Sequence, residues 1–562
     1  MRDMDTIREA VNSVIESLYN KQLVAHIERP DYHYGDFATN VALQIAPGLG
    51  RPPREVAQEL AEALQAHPLF NEVSIAGPGF INMRLTDKAL AALVTTVPQA
   101  QLDGRHYVVE YSCPNAFKEL HTGHLYQTVL GDMLCRLLEA SGARVTRTSF
   151  GGDVGLHVAR CLWGIVDTIG GEYPEKLDDV DKTPFGRARW ISDCYVRGAA
   201  AYESSEQTKQ AIDTLNKTIY EFHASDDHQS ALAQIYWETR QWSFDYFEAF
   251  YKEIQVDTMR YYPESSTAPT GLEVVREQLA KGTVVESEGA VVFRGDETQH
   301  LHTRVFITSK GLPTYETKDI GVIWLERQEY QFDHRVLITG NDQKEYMRVV
   351  FAAAEIFDPS LSGTMTHITN GTVRFGDGKK MSSRLGNVAR AIDVVNIVRD
   401  KVKELVSDPS LTDAVALGAI KYVFAKYRVG GDIAFDIDET VSLAGNSGPY
   451  IQYAHARACS ILQKANQKGA PIHTGSFDST ERVLLYKLGE YTAVVEKATT
   501  EFAPHGICSY LYELAQAFNR FYEQSRIIGD EREAVRLSLV ETYRDVLASG
   551  LAILGIEAVE KM

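Results

Sequence analysis

Along the first hundred positions apolar residues recur first at helical spacing, with Ile7, Val11, Val14, Ile15 and Leu18 on one stripe. Tyr34-Gly-Asp-Phe-Ala-Thr-Asn-Val41 then reads as a turn leading into an apolar run, and Gly77-Pro-Gly-Phe-Ile-Asn-Met83 as a turn followed by a strand. A small α+β module over 1–102 is expected. From about 103 the period alternates. Tyr107 to Tyr111 is a short apolar run, Leu125, Val129, Met133, Leu137 and Leu138 mark a helix face, and Val145 to Phe150 reads as the next strand. That order predicts a parallel sheet with a right-handed crossover. Val305 to Thr308 before a helix near 316–327, and Val336 to Thr339 before a helix near 344–357, predict two further units of the same kind. The stretch 155–300 reads as a largely helical insertion with a β-rich piece near 283–306. After about 405 the strand signal vanishes, and helix-period segments near 411–428, 440–467, 479–500, 506–527 and 531–554 predict an all-α bundle. The expected class is α/β: an open parallel sheet over 103–405, an α+β domain before it and helices over 406–562 after it.

Composition narrows the function classes. The 562 residues are 44% hydrophobic and 24% charged, as in a soluble globular chain. Cysteines at 113, 135, 161, 194, 459 and 508 form no C-x-x-C pair, which points away from a disulfide framework or zinc site and towards a reducing cytosol. No apolar run reaches membrane-spanning length, and the first residues lack the pattern of a signal peptide. With 57 basic and 76 acidic residues the formal charge is −19, which taken alone weighs against a nucleic-acid partner. A local basic stripe is compatible with that total.

Two segments carry candidate chemistry. His121-Thr-Gly-His124 stands where an amphipathic helix begins. A glycine there lets backbone approach a ligand, the helix N-terminus favours anionic oxygens, and the imidazoles add donors. The second segment, Phe375-Gly-Asp-Gly-Lys-Lys-Met-Ser-Ser-Arg-Leu-Gly-Asn387, brackets a lysine pair with glycines, as a loop closing over a polyphosphate would. An ordinary basic surface turn has the same letters.

His121-Thr-Gly-His124 resembles the HIGH motif of class I aminoacyl-tRNA synthetases, and Lys380-Met-Ser-Ser383 resembles their KMSK loop. The wider string Ser112 to His124, with Gly311-Leu-Pro-Thr-Tyr-Glu-Thr-Lys-Asp-Ile320, is similar to the arginyl-tRNA synthetase form. Gly448-Pro-Tyr-Ile-Gln-Tyr-Ala-His-Ala-Arg457 resembles that family's anticodon-binding domain. Tyr34 to Asn40 and Gly77 to Asn82 resemble its N-terminal additional domain. The resemblance covers nearly the whole chain. It implies a Rossmann-type catalytic domain, activation of L-arginine with ATP to arginyl-adenylate and pyrophosphate, and transfer to the 3′ end of a cognate tRNA. It further implies a cytoplasmic protein, expected to be a monomer, with Mg²⁺ accompanying ATP and no dedicated metal cage.

The resemblance also assigns residues. His121, Gly123 and His124 are expected to cradle ATP, with Lys380, Met381 and Ser382 from the loop; His121, His124, Lys118 and Lys380 are the expected catalytic set. Ser383 replaces the last loop lysine, and Lys118 is the expected substitute cation. Glu110, Asn115, Tyr315, Asp319 and Gln343 are expected to line the arginine pocket, where carboxylates suit a guanidinium fork. Tyr315 and Asp319 are one helical turn apart and can face one cavity. Tyr450, Tyr453, His455, Arg457, Asn519, Phe521, Tyr522 and Arg526 are candidates for tRNA contact, by stacking and phosphate contacts or else as helix packing. Val154 and Tyr126 depart from the family's common Trp and Arg. A nucleotidylyltransferase, a class I enzyme for another amino acid and an inactive RNA-binding relative are the competing readings.

Overall fold

The computed structural model describes the chain except residues 1, 297, 299, 377–389, 466–468, 470, 471 and 473–475, with residues 2 and 3 described by backbone alone. The Lys380, Met381, Ser382 and Ser383 positions therefore lie outside the described residues. Two compact units form, one of 1–101, 443–553 and 557–562, the other of 102–442 with 554–556. The division expected after 405 thus falls after Ser442, and the N-terminal segment shares a unit with the C-terminal helices.

In the second unit a five-stranded sheet runs in the order Met365–Asn370, His334–Gly340, His106–Glu110, Arg144–Gly151, Arg260–Pro263, every pair parallel. Chain order proceeds outward from His106–Glu110 to one edge, then returns to its other side at His334–Gly340. The crevice at the carboxyl ends of these two strands is the topological switch point where such sheets bind ligands. Arg260–Pro263 and Met365–Asn370 were not expected as strands. Conversely, Arg304–Ile307 does not join the parallel sheet. It pairs antiparallel with Ala290–Phe293, which pairs with Val285–Ser287, because a neighbouring hairpin offers the nearer partner.

One sheet face buries Val108 and Leu337 against Ile320 and Ile323 of the Tyr315–Tyr330 helix. That helix crosses the Glu264–Lys281 helix at a pair of glycines. A Cβ on Gly271 would lie 1.9 Å from the Thr317 carbonyl oxygen, and one on Gly321 would lie 2.1 Å from that of Thr267. The Thr122–Ala140 helix buries Leu125, Val129, Met133, Leu137 and Leu138, as its spacing predicts. Tyr126 is fully buried with its ring 5.1 Å from that of Phe424. Val154 fills a cluster with Phe117, Val158 and Ile191. Four helices, Leu156–Ile169, Pro184–Ser204, Glu206–Ser225 and Ala231–Glu253, make up the insertion. Beyond 405, Ile433–Phe435 forms a short parallel pair with Val373–Phe375, a strand where only helices were expected.

The first unit holds a four-stranded antiparallel sheet, ordered Ile27–Glu28, Phe37–Thr39, Phe80–Leu85, Phe70–Ala76, with helices Arg2–Tyr19, Val41–Leu49 and Pro53–Gln65. It also holds helices Gly448–Lys464, Ser479–Leu488, Tyr491–Glu501, Pro504–Gln524 and Glu533–Ile553. The expected 479–500 helix is broken around Gly489. Arg482 ties the two parts together, donating to Asp36 at 2.5 Å, Asp87 at 2.6 Å and the Leu85 carbonyl at 2.9 Å.

Candidate active site

The loop after Glu110 departs from relaxed geometry. Ser112, Cys113 and Phe117 have φ of 69°, 46° and 65°, in the left-handed region that costs a side chain energy. Surrounding hydroxyls fix it there. Ser243 accepts from the Phe117 N–H at 3.0 Å, Tyr246 from Leu120 at 3.2 Å and Ser192 from Glu119 at 2.8 Å. Tyr251 meets Ser112 Oγ at 2.9 Å, and Tyr261 donates to the Pro114 carbonyl at 2.9 Å. The helical insertion thereby acts on the site through hydrogen bonds to its backbone.

His121 is the N-cap of the Thr122–Ala140 helix. Its Nδ1 accepts from the Gly123 N–H at 3.1 Å, and His124 Nδ1 accepts from the His121 N–H at 3.2 Å. The two rings lie 3.9 Å apart. Nitrogens that accept carry no proton, so each Nε2 is the N–H donor. Burial and then the Lys118 charge lower the His121 pKa. Burial, His121 and Lys118 push His124 down to about 3. Both imidazoles are neutral donors at pH 7. The Lys118 ammonium stands 4.4 Å over the Tyr195 ring. Arg390, which sequence reasoning passed over, pairs as an antiparallel bridge with His121, and the Ala391 N–H donates to the Leu120 carbonyl at 2.9 Å. The residue after the undescribed lysine segment is therefore stitched to the histidine motif.

The pocket candidates separate into two groups. Glu110 ends its strand fully buried and accepts from Arg335 Nη2. Asp319, also buried, accepts from the Tyr346 hydroxyl. Burial raises Glu110 to about 8 against the opposing pull of Arg335. It raises Asp319 to about 7 against the Tyr346 hydrogen bond and Arg335. The other three stand at the surface. Asn115 is exposed, and its Oδ1 accepts from the Gly152 N–H at 2.9 Å. Gln343 is exposed in the Asn341–Gln343 turn at the carboxyl end of its strand. Tyr315 is 65% exposed with its ring 5.1 Å from the Lys318 ammonium, so one turn of spacing does not bring it onto Asp319.

Other groups were missed. Lys318 and Glu264 form a buried ion pair at 2.5 Å, beside Gly152. Lys318 sits inside the quoted Tyr315 to Asp319 string, whereas Glu264 had no local signal.

On the Gly448–Lys464 helix, Tyr450 Oη accepts from Asn519 at 2.9 Å, and Arg457 donates to Asn519 Oδ1 at 3.1 Å while lying 4.3 Å from the Tyr522 ring. Tyr453 and Tyr522 are 43% and 37% exposed. Arg526 is exposed and donates to the Ile528 carbonyl. His455 is buried and bonded to the Val559 carbonyl at 2.9 Å, and Phe521 is buried, so neither belongs to this surface.

Comparison with known proteins fits this geometry. The arginyl tRNA synthetase N-terminal domain matches residues 5–85, the catalytic domain of class I (R) tRNA synthetases matches 88–436, and the DALR anticodon binding domain matches 451–562. The arginine–tRNA ligase of Thermobifida fusca is 30% identical over 562 residues, covering 94% of each chain. That of Bdellovibrio bacteriovorus is 29% identical, covering 96% of this chain and 94% of its own. The Thermus thermophilus arginyl-tRNA synthetase structure shares the fold with TM-score 0.78 at 24% identity, over 99% of this chain and 100% of that one. The Plasmodium falciparum structure does so at 0.77 and 18%, over 99% of both. A class I catalytic sheet with its histidine motif at a helix N-terminus, flanked by both accessory domains, places the chain in the arginyl-tRNA synthetase family.

Proposed function

We propose that the chain is an arginine–tRNA ligase. The arginine carboxylate attacks the α-phosphorus of ATP, pyrophosphate leaves, and a ribose hydroxyl at the tRNA 3′ end then attacks the acyl carbon and releases AMP. In-line displacement of this kind needs positioning and charge neutralisation more than covalent help from the protein. His121, Gly123 and His124 supply neutral N–H donors and a helix N-terminus for phosphate and ribose. Lys118 supplies a cation close by, and Lys380 with Met381 and Ser382 complete the set. Mg²⁺ would arrive with ATP and be held mainly by phosphate oxygens and water.

The observation that carries the reading is the pair of buried carboxylates, Glu110 and Asp319, at the switch point of the sheet. Buried carboxylates beside a site favour a cationic ligand, since each must otherwise stay protonated. Asn115, Tyr315 and Gln343, exposed in this structure, remain our candidates for the α-amino group and the aliphatic stem. Tyr450, Tyr453, Arg457 and Arg526 form the surface for tRNA. We place the enzyme in the cytoplasm as a monomer, in keeping with six free cysteines, and light scattering checks the mass.

Asp319→Ala is expected to abolish arginine-dependent pyrophosphate release, assayed with tRNA present, while circular dichroism and melting stay close to the parent. The loss corresponds to roughly 2–5 kcal/mol for an unpaired guanidinium. Near-normal activation by that variant, or response to an amino acid other than arginine in a panel of twenty, refutes the assignment.

A further inference from the structure

A buried arginine, unmarked by any local pattern, stands behind the proposed pocket. Arg335 lies at the start of the His334–Gly340 strand, in register with Val108, two residues short of Glu110 on the neighbouring strand. Its side chain is 1% exposed. Nε donates to Glu326 at 2.6 Å and Nη2 donates to Glu110, while Nη1 has no partner among the described residues. Glu326 is fully buried and also accepts from Thr148 Oγ1 at 2.6 Å. Asp319, Ile323 and Glu326 are spaced i, i+4, i+7, so they share the helix face that covers the sheet. The order inward from the site is Asp319, Glu110, Arg335, Glu326: three carboxylates and one internal guanidinium.

The charge count decides what this cluster wants. Glu326 and Arg335 cancel, leaving two buried carboxylates whose combined charge attracts a further cation. A planar fork can hold two carboxylates at fixed angles, which a lysine ammonium cannot. Groups facing Glu110 are Arg335 from its neighbouring strand, Glu326 and Asp319 from the covering helix, and Cys113, whose thiol is 3.8 Å from Oε1. Asp319 faces Tyr346, Arg335, Glu264 and Glu316.

We propose that Arg335 is a positioning residue of the arginine pocket, fixing one oxygen of Glu110 so that Glu110 and Asp319 together accept a single external guanidinium. This rests on the reading of Glu110 and Asp319 as pocket residues. Arg335 holds Glu110 in orientation and opposes the upward shift that burial, Glu326 and Asp319 impose on its carboxyl. Without that guanidinium, burial and Asp319 drive Glu110 to its neutral acid, and the pocket loses its preference for a cation.

Two variants test this. Arg335→Lys keeps the charge and loses the fork. The double variant Arg335→Leu with Glu326→Leu removes that pair as a neutral unit and leaves Glu110 without its guanidinium partner. In Arg335→Lys the KM for arginine is expected to rise at least about tenfold with the KM for ATP unchanged, because charge-assisted fork bonds are the strong ones. The acid limb of kcat/KM for arginine should move to higher pH, and discrimination of arginine over its neutral isostere citrulline should fall. The double variant should show the same changes, larger. A parental arginine KM and acid limb in Arg335→Lys overturns the proposal. So does an equal loss towards arginine and ATP with an unmoved limb, which is what a structural role alone gives. Asp319→Ala separates the levels: inactive Asp319→Ala with parental Arg335→Lys defeats only this inference, whereas active Asp319→Ala defeats the pocket reading itself.

Discussion

An imidazole that spends Nδ1 on a backbone N–H has no second proton to give, and this sets how the site responds to pH. His121 and His124 are held neutral, so they do not produce a limb near neutrality. The titrating pair is Asp319, raised to about 7, and Glu110, raised to about 8, chiefly by burial. A carboxyl raised on folding binds more protons in the folded state, so the ligand-free protein loses stability as pH climbs from about 4 through 8. On the proposed pocket, arginine needs the ionised forms, so its binding is expected to strengthen over the same window. The rise in Tm produced by saturating arginine is therefore expected to be larger at pH 8.5 than at pH 6. A flat or shrinking increment by scanning calorimetry counts against this assignment. At this scale the candidates that the sequence offered were those inside a local string, as Glu110, Asn115, His121 and His124 are. Arg335 was not, because it lies 225 residues from the Glu110 it holds.

Among elements, the insertion is more than a decoration on the sheet. Hydroxyls from Ser243, Tyr246 and Tyr251 of the Ala231–Glu253 helix hold the 112–120 loop, with its left-handed turns at Ser112, Cys113 and Phe117. Tyr246→Phe leaves the buried Leu120 N–H without its partner, a change expected to cost about 1–3 kcal/mol in urea unfolding and to lower kcat. Unchanged stability would show that the loop holds itself. Helices with a long apolar stripe were legible, Thr122–Ala140 above all. Arg260–Pro263 was hidden because four residues ending in proline carry no alternation. Met365–Asn370 was hidden because threonine, histidine and asparagine read as loop, although as the edge strand they pair their backbone with His334–Gly340. Arg304–Ile307 looked like a strand and is one, but pattern alone does not reveal which sheet a strand joins.

For the whole chain, the net charge of −19 suggested a poor partner for RNA, and the C-terminal helices show why a total misleads. Arg457 lies against the Tyr522 ring, and Tyr453, Tyr522 and Arg526 are exposed, so cations and rings are available locally despite the total. Arg457→Ala is expected to weaken tRNA binding and to reduce the salt dependence by about one unit of slope. Filter binding at several salt concentrations measures both, and parental affinity with parental slope removes Arg457 from the interface. The accessory domains were legible as helices and turns, but not the Arg482 link that puts the first hundred residues and the last helices into one unit.

The glycine crossing of the Glu264–Lys281 and Tyr315–Tyr330 helices has a consequence for how this pocket can change. There the spacing is set by main chain on main chain, with Gly271 against Thr317 and Gly321 against Thr267. No substitution can bring the helices nearer, since nothing is left to remove. Any added atom moves the wall bearing Lys318 and Asp319 away from Glu264. The wall is thus adjustable in one direction only: a side chain at 271 or 321 pushes the two helices apart, and bringing them nearer would require a different backbone.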